Sequence, residues 1–132
     1  MRFPTPSSIC RLKTGNRLIA EAHPGNSMIQ IFPAEKRYIQ RMGWLDVYSV
    51  FSCNNYFDPW NTHFANLIAF NEYVMQPGFG FNMHPHEDIE QVFLVTEGQL
   101  SHADSLGNEG VLSPGGIQSI SAGSGYARYA CN

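Results

Sequence analysis

Residues 78–90, Gly78-Phe79-Gly80-Phe81-Asn82-Met83-His84-Pro85-His86-Glu87-Asp88-Ile89-Glu90, decide how this chain is read. In an extended chain alternate side chains share a face. His84, His86 and Glu90 have the same parity and are expected to point together into a barrel. Two imidazoles and a carboxylate form the ligand set that suits non-haem Fe(II) and also accepts Zn, Ni, Cu or Mn.

Downstream of this stretch the pattern is that of short strands and tight turns. Val92-Phe93-Leu94-Val95 is a contiguous β-favouring run within a strand expected over 90–96, and Glu97-Gly98 ends it. Leu100 to Asp104 and Gly110 to Leu112 flank Ser105-Leu106-Gly107-Asn108, a hairpin signal. Ile117 to Ser121 and Tyr126 to Cys131 read as two further strands, separated by Ala122-Gly123-Ser124-Gly125. Upstream, residues 34–42 read as a turn or a single helical turn. Gly43 to Phe51 is aromatic and apolar, residues 54–59 form a loop, and Phe64 to Tyr73 resumes an apolar strand pattern. Turns every ~8–12 residues indicate an all-β sandwich or barrel.

Composition agrees. The chain has 132 residues, of which 43% are hydrophobic and only 14% charged. That size is one domain, and low charge with ample apolar surface excludes intrinsic disorder. No apolar run reaches the ~18–20 residues of a membrane helix, and Met1 to Ile9 lacks the apolar core of a secretory signal. Three cysteines, Cys10, Cys53 and Cys131, with no Cys-x-x-Cys pair, argue against a disulfide framework and for an intracellular, cytoplasmic setting. Residues 1–41 carry a net +5 and residues 42–132 a net −8. The basic groups are scattered, so a nucleic-acid partner is not expected. Arg128 is the only Lys or Arg beyond Arg41.

The spacing Gly78, five residues, His84-x-His86, three residues, Glu90, then Gly98 resembles the first motif of the cupins. A longer set of motifs is similar, in the same order, to the N-terminal domain of the pirin family: Gly43-Trp44-Leu45-Asp46, Tyr56-Phe57-Asp58-Pro59, His84-Pro85-His86, Glu97-Gly98, Asp104-Ser105-Leu106-Gly107-Asn108, Pro114-Gly115 and Ala122-Gly123-Ser124-Gly125. The resemblance runs from about Ile31 to Asn132. It implies a single cupin-type antiparallel β-barrel, a double-stranded β-helix, over 31–132. Residues 1–30 are then an N-terminal extension. Leu18 to Ala22 or Met28 to Phe32 is expected to cover a barrel edge, for which a second copy of the chain is the other candidate. The resemblance also implies a metal in the barrel. The family includes quercetin dioxygenases and nuclear co-regulators of transcription.

In two respects the chain departs from the family. The 132 residues match the first cupin domain only, where the family typically has two. And where pirins follow the Ala-Gly-x-Gly turn with a His-x-Glu strand that supplies two further ligands, this chain has Arg128 and Ala130. Arginine stays protonated in proteins and cannot ligate. A unit charge ~5 Å from a dication costs about 6–7 kcal/mol at an effective dielectric of ~20, so the metal site is expected to be empty or to hold a divalent ion (Fe, Zn, Ni, Cu or Mn) weakly, on His84, His86 and Glu90. His102 reads as structural.

Three functional readings follow. The first is acid/base chemistry of isomerase, cyclase or lyase type on a small, partly aromatic molecule. His84, His86, Glu90 and Arg128 are the catalytic candidates, in a pocket walled by Phe79, Phe81, Met83, Phe93 and Tyr126. The others are a non-catalytic ligand-binding or regulatory cupin, and a metal-dependent dioxygenase of the quercetinase type. In all three the expected partner is a small molecule, with no membrane involved.

Overall fold

A computed structural model describes residues 31–132. The extension over 1–30, with its expected edge strands and Cys10, lies outside the described residues. Within them the architecture is antiparallel β, as the turn spacing indicated, with one 3-10 turn at Ala34–Lys36. No described helix is long and apolar enough to cross a membrane.

Among the described residues nine strands form three sheets. β1 (Tyr38–Arg41), β2 (Leu45–Ser49) and β3 (Asn71–Met75) pair in the order β1-β2-β3. β4 (Gly80–His86), β6 (Leu100–Asp104), β7 (Glu109–Leu112) and β9 (Tyr126–Cys131) form a sheet of order β4-β9-β6-β7. β5 (Glu90–Leu94) pairs with β8 (Ile117–Ser121). The buried positions concentrate on the two central strands. Leu45, Val47 and Ser49 alternate inward on β2, and Tyr126, Arg128 and Ala130 do so on β9. This is the period-2 burial of a sheet with one covered face. Only a glycine fits at position 80: a Cβ there would lie 2.3 Å from the Ala130 carbonyl oxygen and 2.6 Å from the Cys131 Cα.

The expected strand over Phe64 to Tyr73 is corrected. Phe64 and Leu67 bond each other's backbone across a tight turn in which Ala65 takes φ +51°, and β3 starts only at Asn71. The apolar residues 64–70 are loop, and Phe64, Leu67, Ile68 and Phe70 are exposed.

Candidate functional site

The β4–β9 pair builds the site. Residues directly opposite in an antiparallel ladder share a face. His84 stands opposite Arg128, His86 opposite Tyr126 and Phe81 opposite Ala130, with a register shift between Phe81 and His84. The buried alternation of β9 therefore carries His84 and His86 to the inner face. Their rings meet edge to face at 4.7 Å, and His86 stacks on Tyr126 at 5.7 Å. Phe81 meets His84 edge-on at 6.0 Å.

Each imidazole is oriented by a neighbour. The His84 Nδ1–H donates to the Asn82 carbonyl oxygen at 2.6 Å. His86 Nδ1 faces Gln91 Nε2 at 3.5 Å, and the Tyr126 hydroxyl holds Gln91 by donating to its Oε1 at 3.1 Å. A Gln91 N–H directed at Nδ1 leaves the neutral-ring proton of His86 on Nε2. Burial, then the charges of His84 and Arg128, lower the His86 pKa below its ordinary value.

Arg128 is 3% exposed. Its Nη2 donates to Gln118 Oε1 at 2.9 Å, and its guanidinium lies 3.8 Å from the centre of the Phe93 ring. Gln118 also reaches His102, with Nε2 3.2 Å from Nδ1. Burial pushes the guanidinium below its ordinary pKa, but arginine stays charged at neutral pH.

The parity expectation for Glu90 fails. Asp88 takes φ +51° in the turn between β4 and β5, and the strand resumes one residue out of step. Asp tolerates the left-handed region better than most residues, and that residue type was the available signal. Glu90 consequently faces outward, exposed, and accepts from the Ser121 hydroxyl, while Gln91 takes the inner place. Nor does Glu90 pair with Arg128. Of the pocket candidates, Phe81, Phe93 and Tyr126 surround the histidines and Arg128. Phe79 instead stacks on Trp44 at 6.0 Å, and Met83 is exposed beside the register shift. Sequence reasoning missed Gln91 and Gln118, the neutral amides that set the geometry of His86 and Arg128.

A divalent metal does not fit these residues. His84 and His86 supply two nitrogens. The residues beside them are Gln91, Gln118, Tyr126, Arg128 and Ala130, His102 is held by Gln118, and no group of three or more His, Cys, Asp or Glu able to hold a metal occurs among the described residues. Two imidazoles facing a fixed cation lack both the donor number and the negative charge that a dication requires.

The sequence profile of the Pirin family matches residues 33–130. A relative from Mycobacterium tuberculosis (strain ATCC 25618 / H37Rv) is 42% identical over 97 residues, 74% of this chain and 40% of that protein. Quercetin 2,3-dioxygenase of Escherichia coli (strain K12) is 41% identical over 98 residues, 74% of this chain and 42% of its own length. The chain thus spans about two fifths of these relatives. The crystal structure of YhhW from Escherichia coli superposes with a TM-score of 0.74 at 39% identity, over 76% of this chain and 43% of that one. A second structure of bacterial pirin YhhW, in complex with nickel(II), gives 0.73 at 39% identity, over 75% and 43%.

These relatives overturn the acid/base reading of isomerase, cyclase or lyase type. Proteins about 40% identical to the chain are named for dioxygenation of quercetin, and nothing in the site singles out the acid/base alternatives. The motifs, the antiparallel β architecture, the inward His84–His86 pair on β4 and the match over residues 33–130 agree, and the chain belongs to the pirin family of cupin-fold proteins.

Proposed function

We propose that the chain acts on the substrate class for which its relatives are named, a planar polyhydroxylated aromatic of the quercetin type, bound on the inner face of the β4–β9 pair. The observation that carries this reading is the His84–His86 pair on that face, flanked by Phe81, Phe93 and Tyr126. Flat rings stack on flat substrates, and each such contact contributes about 0.5–1.5 kcal/mol beyond the area it buries. The imidazole and amide groups offer donors to phenolic oxygens. Residues at the barrel interior rather than the rim set such a preference, because only there is water excluded from both partners.

The test is a quercetin titration followed by the shift of its absorbance band. The wild-type protein should bind it, and His86→Ala should weaken binding about tenfold, the equivalent of ~1.4 kcal/mol. No binding, or equal binding by both proteins, rejects the reading. A second reading, dioxygenation itself, is favoured by the names of the relatives. Oxygen uptake with quercetin, lost in both His84→Ala and His86→Ala, would establish it. Quercetin binding without uptake would reject it.

A further inference from the structure

Arg128 is a deeply buried cation without an ion pair among the described residues, where the ion pairs are Arg37–Glu72 and Arg41–Asp46. The strands around it explain why. On β6, Asp104 stands opposite Arg128 in register. Its carboxylate instead accepts from the Leu106 and Asn108 backbone amides and from Asn108 Nδ2, closing the 105–108 turn. On β5, Glu90 faces outward to Ser121. On β4 the opposite residue is His84, and from β8 the contact is the side chain of Gln118, a neutral amide. The Nε–H of Arg128 is buried with no hydrogen-bond partner among the described residues. A buried charge with an unused donor is costly unless something of opposite sign reaches it.

The surroundings define what that would be. The unused Nε–H of Arg128 and the Nε2–H of His86 are both donors, and half-exposed His84 lies directly across the strand pair from Arg128, with His86 one inner position further along β4. The remaining walls are the Phe93, Phe81 and Tyr126 rings. Donors, a fixed positive charge and flat apolar faces complement a carboxylate on an aromatic ring. They do not complement a dication.

We propose that the inner face around Arg128 is an anion site that takes a small aromatic monocarboxylate. The carboxylate pairs with the guanidinium, and the ring lies against Phe93 and the His86–Tyr126 stack. This assignment rests on Arg128 and stands independently of the quercetin reading.

Sodium benzoate is the probe, with benzamide as its uncharged counterpart, measured calorimetrically at neutral pH and low salt. Benzoate should bind at least tenfold more tightly than benzamide. Arg128→Met should lose at least tenfold of the benzoate affinity and leave benzamide unchanged. Should Arg128→Met fail to fold, the benzoate–benzamide comparison and the rise in wild-type melting temperature with benzoate, absent with benzamide, decide the matter alone. Equal binding of the two probes, absence of benzoate binding, or undiminished binding by a folded Arg128→Met overturns the proposal. So does stoichiometric tight uptake of nickel(II) by the wild-type protein that His84→Ala abolishes. Benzoate binding in a protein that ignores quercetin retains the anion site and removes the flavonol reading, and the converse result does the reverse.

Discussion

Replacing Arg128 by methionine should stabilise the ligand-free protein. The side chain is 3% exposed, and its charge faces Gln118, a neutral partner, and the Phe93 ring at 3.8 Å. Taking a cation out of water costs several kcal/mol even after relaxation. Against that stand a cation–π contact of about 2 kcal/mol and one charge-assisted hydrogen bond of about 1.5–3 kcal/mol. Methionine keeps most of the apolar stem and adapts to irregular space. Gln118 loses an acceptor contact but retains His102 within 3.2 Å. Buried ionic groups replaced by apolar ones of similar volume give neutral to 1–4 kcal/mol stabilising changes. We therefore expect a gain of about 1–2 kcal/mol for Arg128→Met, or a melting point higher by roughly 3–10 °C. Urea unfolding followed by tryptophan fluorescence, extrapolated linearly to water, measures it. A loss of more than about 3 kcal/mol, the signature of a broken, fully compensated buried pair, would show that Arg128 has a counter-charge and refute the reasoning.

Other expectations follow from the same geometry. Because burial and the His84 and Arg128 charges lower the His86 pKa, the unfolded chain binds the extra proton first. Stability should then fall as pH drops from the unfolded value of about 6.5 through the lowered folded one. Urea midpoints should show this slope in the wild type and less of it in Arg128→Met. Gly80→Ala places a Cβ 2.3 Å from the Ala130 carbonyl oxygen, and should cost about 2–3 kcal/mol by overpacking, read as a lower melting temperature. Glu90→Ala removes an exposed carboxylate bonded to Ser121. It should shift stability by less than about 1 kcal/mol and leave benzoate affinity unchanged, and a tenfold loss in the same calorimetric titration would contradict its outward placement.

The strands from 90 onward were legible because each is bounded by turn residues. Gly98, Gly107, Gly115, Gly123 and Gly125 all take positive φ at the breaks. Arg128 could be placed from the order of motifs, since a β ladder with fixed turns leaves little freedom of register. Glu90 could not, because parity counting assumes an unbroken strand and Asp88 interrupts it. The apolar run at 64–70 misled for a related reason: hydrophobicity there is spent on a loop turning at Ala65, a residue type with no marked tolerance for φ +51°. Gln91 and Gln118 stayed invisible because a lone amide in a β-favouring run carries no sign of which face it takes until the register is known.

The position of β9 governs the order in which the protein can assemble. Tyr126–Cys131 is the last of the nine described strands in chain order, yet it lies between β4 and β6 and pairs with each. Until it emerges, β4 and β6 present open backbone edges, which are templates for intermolecular pairing. Contacts that span residues 80 to 131 also make closure a late, long-range event. Removal of these six residues would therefore split the sheet down its middle rather than trim its margin. A chain cut short there should be cleared or aggregate instead of surviving as a slightly weakened barrel.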